Sequence, residues 1–301
     1  MAGTINPRVE KFRPDESRGT LAEYYRSATV RKWAEWEGEG PLDTYTLPFL
    51  LEGLLKGGGV ITTPGGGTTT RLHTYAPTMT SDDLLASTLY WGDPSTQIFQ
   101  ASYSMVDEIT ISADASSTDG ITMSAKGQSR FPAQAAPDSV PAMLDAPLLA
   151  PADMQVWIDS TNPIATTEIA DRVVSTELTI PSGVVYKWLA TGPTGTRDFV
   201  HHGRKKRHAE LKLVLELADM DEYDLWAAAT SLKVRLQFNG PIIEGVLRHF
   251  VQFDIYGPFD GPDWGDLEGS NRTIALNILS EYNTAAGYDF CMAVQNDRAT
   301  I

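Results

Sequence analysis

The sequence predicts a mainly β fold with one or two short helices. Two segments read as hairpins: 108–127 (EITISADASSTDGITMSAKG) and 177–192 (ELTIPSGVVYKWLATG). Each starts at a Glu and passes a β-prone run, a turn closed by Gly120 or Gly183, a second β-prone run and a final Gly. Such runs, split by turn residues, are hairpin signals. Residues 209–217 (AELKLVLEL) alternate: Leu211, Leu213, Leu215 and Leu217 share one side, with Lys212, Val214 and Glu216 on the other. That is the period of a half-buried strand. Helical spacing is confined to two short stretches.

Residues 1–30 read as an arm. Pro7, Pro14, mixed charges and few apolar positions argue against a packed element, and such termini often order on a partner. Residues 31–40 have a short apolar content around Trp33 and Trp36. In 47–58, Leu50, Leu51, Leu54 and Leu55 form one helical stripe, Pro48 suits the first turn, and Gly57 marks the stop. Residues 57–71 (GGGVITTPGGGTTTR) form a Gly/Thr-rich exposed loop. Strands are expected near 72–75, 87–91 and 99–105, before the first hairpin. The Pro- and Ala-rich run 131–153 reads as an extended crossover.

The second half opens with a short strand at 154–159, then the second hairpin and a polar loop at 192–208. A helix is expected over 220–231, capped by Asp219 or Asp221, with Glu222 and Asp224 complementing its dipole. Strands follow near 233–238, 246–256 and 272–282. Segments 32–56 and 212–233 both run strand, acidic turn with Tyr45 or Tyr223, helix, Lys. This unit precedes the hairpin in the first half and follows it in the second. The expected division is an arm (1–30), a first β module (31–140), a Pro/Ala-rich linker (141–153) and a second β module (154–301), with one elaborated domain over 31–301 as the alternative.

The chain has 301 residues, 42% hydrophobic, with 39 acidic against 24 basic side chains and a net charge of −15. Phosphate neutralisation by Lys and Arg drives nucleic-acid binding, so a repressor, nuclease or polymerase is disfavoured. Cys291 is the sole cysteine, which excludes an internal disulfide. The N-terminal residues lack the apolar run of a signal peptide, and no segment approaches the ~18 apolar residues of a membrane span. The expectation is a protein made in the cytoplasm that stays soluble until it assembles, with no membrane partner.

The Gly-rich loop invites a phosphate-cradle reading, but it lacks the GK[ST] ending and leads into no helix. The cluster HHGRKKRH (201–208) concentrates positive charge. Its Arg204, Lys205, Lys206 and Arg207 suit pairing with acidic surface on a neighbouring copy. Segment 260–269 gathers Asp260, Asp263, Asp266 and Glu268 without the spacing of a calcium loop, and reads as a Gly/Pro-punctuated loop. No GxSxG, HExxH, CxxC or paired-carboxylate motif stands out. The chain is therefore expected not to be an enzyme, with no catalytic residue, cofactor or metal site.

Several phrases together resemble the major tail tube proteins of long-tailed, siphovirus-type bacteriophages. They are LPFLLEGLLKGG, HTYAPTMTSDDLLASTLYWGD, MVDEITISADASSTDGITMSAKGQSRFP, VVSTELTIPSGVVYKWLATG and ALNILSEYN, spread over about residues 30–295. The resemblance implies β-sandwich modules whose inner sheets join between subunits into a continuous barrel. It implies rings of six modules, from six chains or from three, stacked into a tube in the virion. Partners would be further copies, the tape measure, terminator and distal tail proteins, and genomic DNA passing without specific binding. Six chains would bring a formal charge of about −90 to a ring, a surface along which phosphates slide. Asp107, Asp114, Glu168 and Glu177 are the candidate lumen-facing acids. The alternative is a ligand- or carbohydrate-binding β-sandwich of a tail adhesin, with Trp91, Trp157, Trp188 or Trp264 stacking on sugars.

Overall fold

The computed structural model describes residues 2–15, 24, 26–55, 59–77, 85–93, 96–135, 145–161, 163–190, 195, 197–228, 230–265 and 272–299. Strand accounts for 58% and helix for 7%, so sheets decide the architecture. The first strands are β1 (Ala2–Phe12), β2 (Ala28–Pro41), β3 (Val60–Thr62), β4 (Arg71–Tyr75), β5 (Ser87–Asp93) and β6 (Gln97–Asp114). Next come β7 (Thr122–Ser129), β8 (Ala133–Ala135), β9 (Met154–Asp159), β10 (Val173–Pro181), β11 (Val184–Lys187) and β12 (His201–Arg204). The last are β13 (Glu210–Glu216), β14 (Leu232–Glu244), β15 (Leu247–Gly257), β16 (Phe259–Trp264), β17 (Thr273–Leu279) and β18 (Phe290–Asn296). Helix α1 is Thr46–Leu54 and α2 is Asp221–Ala227.

A ten-stranded antiparallel sheet runs β1-β2-β7-β6-β10-β13-β17-β16, with β5 and β8 pairing the first part of β6. A six-stranded sheet runs β3-β4-β18-β15-β14-β9. Period-2 sequence makes each sheet two-faced. Ile109, Ile111, Leu178, Ile180, Leu211, Leu213, Leu215, Leu276 and Ile278 bury one face of the larger sheet. Val156, Val234, Leu236, Val251, Phe253, Ile255, Phe290 and Val294 bury one face of the smaller. All belong to a single core cluster, which makes the fold a β-sandwich.

The division at 141–153 separates neither sheet. Strand β6 pairs β10 across it, and β4 pairs β18. Segments before and after that stretch are thus neighbours in both layers. The arm also contains regular structure: Pro7 sits within β1, which pairs β2 through residues 28–39. Proline is tolerated there because β1 is an edge strand, needing ladder bonds on one side only.

The first expected hairpin forms, as β6 and β7 pair from Ser112↔Thr122 toward Val106↔Gly127. The second does not. Strand β10 already has β6 on one edge and β13 on the other, so no edge remains for β11. Gly183, at φ +72°, turns the chain away, and β11 pairs β12 in a separate two-stranded ribbon. Part of the expected Gly/Thr-rich loop is strand β3, which pairs β4. Expected loop residues 260–264 lie in edge strand β16, against β17. Gly57, Asp266, Glu268 and residues 136–144 of the Pro/Ala-rich run lie outside the described residues.

Helix α1 starts where the Asp43 carboxylate accepts hydrogen bonds from the amides of Tyr45 and Thr46. It buries Leu47, Leu51 and Leu54, while expected stripe member Leu50 is only half-buried. The repeated unit is met in outline: β2 leads to α1 and β13 leads to α2, both strands lying in the larger sheet, but Tyr45 precedes α1 whereas Tyr223 lies within α2. The 18-residue β6 bends at Tyr103, whose φ is +52°. The left-handed region is rare for such a bulky side chain, and here it separates two pairing zones of one strand. Among the described residues, no helix is long and apolar enough to cross a membrane.

Leu213 is fully buried at the centre of the larger sheet. Leu213→Ala should lower the unfolding free energy by about 2–5 kcal/mol, read from urea denaturation at unchanged m-value. A loss below about 0.5 kcal/mol would place Leu213 outside the core.

Candidate functional site

The core claims one face of the larger sheet, and strand geometry turns the alternate residues outward. Strand register assembles them into rows. One row runs Thr4, Glu37, Lys126, Glu108. The next runs Ala2, Glu39, Ser124, Thr110, Thr179, Glu210. A third runs Thr122, Ser112, Glu177, Lys212, Asn277, Asp260. Between β7 and β13 the outward side chains are hydroxyls, carboxylates, amide and two lysines, with Pro181 and Val214 as the apolar exceptions. Shallow hollows open along it, one beside Glu37, Glu39, Glu108, Thr110 and Lys126, another beside Ser112, Asp114, Glu177 and Lys212. Lys126 is paired to Glu108, both reaching toward solvent.

The expected acids divide between locations. Glu177 faces outward in the third row, in register with Ser112 and Lys212. Asp114 is exposed at the end of β6, where it accepts hydrogen bonds from the Ser116 amide and hydroxyl. Those bonds hold its carboxyl below the usual range. Glu168 lies elsewhere: it forms a β-bridge with Trp157 beside β9 in the smaller sheet and accepts from Gln155 at 2.9 Å.

Asp107 is displaced from the row by a bulge. Register between β6 and β7 shifts between Val106 and Glu108, so Glu108 takes the outward position. Gly127 stands opposite, and a Cβ there would strike the Met105 carbonyl and the Trp36 ring. Half-buried Asp107 instead accepts a 2.6 Å hydrogen bond from the Tyr186 hydroxyl of β11, while its carbonyl accepts from the Ser182 amide. The bulge thereby clips the β11–β12 ribbon to the margin of the polar face. Aromatic contacts extend that clip: Tyr186 meets Phe199 at 4.7 Å, and Trp188 meets Trp33 at 5.6 Å.

The basic segment is half committed within its own chain. Arg204 donates to the Leu54 carbonyl at 2.6 Å, satisfying the C-terminal end of α1. Arg207 lies 5.3 Å over the Phe290 ring. Lys205 and Lys206 are exposed, beside a hollow that also holds Asp107, Glu108 and Lys126.

The Gly-rich loop is a cradle for a different anion than phosphate. The amides of Thr68, Thr69 and Thr70 donate to Glu244 Oε1 at 2.8, 3.0 and 2.7 Å. The Thr68 hydroxyl reaches Oε2 at 2.8 Å. Convergent donors hold the Glu244 carboxyl far below its usual range.

Sequence reasoning missed Glu37, Glu39, Glu108, Glu210, Lys126 and Lys212 as members of one surface. The period-2 acids of AEWEGEG (34–40) were the available signal for Glu35, Glu37 and Glu39. Strand order, which joins them to Glu108 and Glu177, is not written locally. Among the described residues, no three His, Cys, Asp or Glu side chains gather as a metal set. No protein-family model matches the chain, and no curated protein matches it.

Two substitutions probe these contacts. Glu244→Ala should remove the protection of the Thr68–Thr70 amides in hydrogen exchange while the core amides stay protected. Unchanged protection would show that the loop holds itself. For Asp107, burial is the largest influence and raises the carboxyl from 3.8 to about 6, against lowering by the Tyr186 bond and by Lys126 and Lys205. A carboxyl raised on folding binds its proton more tightly in the folded state, so stability grows as pH falls from about 6 toward 4. Asp107→Asn should stabilise the protein at pH 7 by roughly 1–2 kcal/mol and flatten that pH dependence. A pH profile of melting temperature identical to wild type would contradict this.

Proposed function

We propose that this chain is a structural subunit of a hollow tube, of the kind that forms the tail tube of long-tailed bacteriophages. Its polar sheet face lines a channel through which DNA leaves the virion. The observation that carries the reading is that outward face of the larger sheet. Over several strands it offers short hydroxyl and acidic side chains, almost no aliphatic surface, and no cationic track. A duplex bears a negative charge about every 1.7 Å along its axis. It would pass such a wall hydrated and repelled, without the counter-ion release that makes binding tight.

The sheet also ends in two strands, β1 and β16, that have no further partner among the described residues. Joining such edges between copies would continue the sheet into a ring and remove both edges. Six modules per ring, the tape measure, terminator and distal tail proteins as partners, and residence in the virion belong to this proposal.

A carbohydrate-binding adhesin needs an open aromatic platform. Trp188 offers little: Arg31 lies 5.2 Å over its ring, and Trp33 and Phe199 flank it at 5.6 and 5.9 Å. Trp91 stacks on Phe99 at 4.7 Å, which leaves Trp264, 47% exposed, as the open ring among the four.

Negative-stain electron microscopy of the purified chain across a concentration series tests the reading. Rings or tubes with a lumen of about 20 Å or more, enough for a duplex with its grooves, are the expected outcome. Particles that stay compact and solid at every concentration overturn it.

A further inference from the structure

We infer that His249 is an acid-weakened latch: its neutral ring holds the head of α1 against the smaller sheet, and a proton taken up by that ring loosens the hold. The inference concerns the body of the sandwich and stands apart from the channel reading.

A polar cluster interrupts the core where α1 begins. Of the five histidines, His73 and His249 are buried, at 0% and 7% exposure. Both share the core face of their strands. His73 stands in register with buried Val294, and His249 lies two residues before buried Val251. Thr44, fully buried just ahead of α1, joins the cluster twice. Its hydroxyl meets His249 Nδ1 at 3.1 Å, and its carbonyl accepts from Asn296 Nδ2 at 2.7 Å. The Asn296 side-chain oxygen accepts in turn from the Arg298 amide at 2.9 Å and from His73 Nε2 at 3.1 Å. Strands β4, β15 and β18 and the head of α1 thus meet through side-chain contacts. Thr44 and Tyr45 belong to no strand, so these contacts, with buried Leu47, hold the helix head in place.

The surroundings of His249 suit a neutral ring. From the head of α1 it meets the Thr44 hydroxyl and, edge to face, the Tyr45 ring at 6.0 Å. From β14, Gly240 packs against its Cβ, with Leu149 alongside. From beyond β18, Asp297 favours the protonated ring, but that carboxylate already accepts the Tyr45 hydroxyl at 2.7 Å. Arg298, 5.2 Å over the same Tyr45 ring, brings a cation to this end, and Arg248 is the neighbouring charge on β15. Asp43 is committed to the Tyr45 and Thr46 amides, and Asp145 acts on Tyr45. Burial outweighs Asp297 and holds the His249 ring below its ordinary 6.5.

Uptake of a proton puts a charge where burial has removed the water that would solvate it. Nδ1 can then only donate to Thr44, whereas in the neutral ring it can take either role. A histidine whose affinity for protons is lowered on folding gives its full stabilisation above about 6.5 and loses it as pH falls below that value. Asp107 works in the opposite sense from about 6 downward. Global melting therefore mixes the two, and a local probe separates them.

Hydrogen exchange of the full chain, followed by mass spectrometry at about pH 7.5 and about pH 5.5, tests the latch. Rates are corrected for intrinsic exchange, and residues 43–48 are compared with β13. In wild type, opening of 43–48 should rise about threefold to tenfold on acidification, the ceiling being set by one pH unit below 6.5. Strand β13 should keep its protection. His249→Asn, which offers a polar atom near the place of Nδ1 and does not titrate, should show the same opening at both pH values. Other titrating groups, Asp107 among them, are common to both proteins and cancel in the comparison. Wild-type opening that ignores pH overturns the inference, and so does an equal rise in His249→Asn. If that variant fails to fold, His249→Gln replaces it. Independently, an NMR titration of the His249 Cε1 proton in wild type should have its midpoint below 6.5; a midpoint at or above that value removes the latch.

Discussion

The apolar seam between the two sheets is the constraint from which the rest follows. Leu211, Leu213 and Leu215 on β13, flanked by Leu178 and Ile180 on β10 and Leu276 and Ile278 on β17, can be buried together on one side only. A one-residue slip in any of these strands would send its leucines and isoleucines into water. Register is therefore fixed by burial, at about 1.5–3 kcal/mol for each large apolar side chain removed from solvent. Once register is fixed, the opposite face has no freedom. Glu177 must stand beside Ser112 and Lys212, and Thr110 beside Ser124 and Thr179. The polar wall is the complement of the core.

One local departure from that rule is placed where a second element must attach. An extra residue at Asp107 lets both Val106 and Glu108 keep their proper faces, and leaves a carboxylate pointing to Tyr186. Gly127 makes room for the close approach of Met105 and Trp36. The ribbon of β11 and β12 then joins two distant parts of the chain: Tyr186 holds the bulge, while Arg204 satisfies the last turn of α1. Basic side chains that look available in sequence are thereby partly used in holding the fold. Exposed Lys205 and Lys206 keep the positive character of the segment at the margin of an acidic face.

The smaller sheet is organised by polar contacts as well as by its core face. Arg235 and Asp254 make a bidentate pair at 2.7 and 2.8 Å across β14 and β15, with Asp254 almost fully buried. His249 shares a 3.1 Å hydrogen bond with Thr44, and the Asn296 side chain donates to the Thr44 carbonyl. These contacts fasten the start of α1 to β15 and β18. Buried polar groups with partners specify one arrangement more sharply than they stabilise it. The larger sheet carries the exposed polar face, and the smaller sheet packs into the same core from its other side.

By itself, the sequence determined the class, most strands, both helices and the faces of strands such as β13, because alternation and helical spacing are local periods. It also determined the acidic character of the surface and the strand–turn–helix unit that occurs twice. It left β18 unseen, since FCMAVQN is buried along its whole length and shows no alternation. It also misread the segment after β10 as a hairpin partner, because a turn signal says that the chain reverses but not which edge is free. Only the tertiary structure decided that β6 and β13 occupy both edges of β10 and that β4 meets β18 across the middle of the chain. It likewise decided that Glu37, Glu108 and Glu177 share one face while Asp107 and Glu168 leave it. Those outcomes depend on competition among distant strands for a limited number of edges, and no local period records who wins.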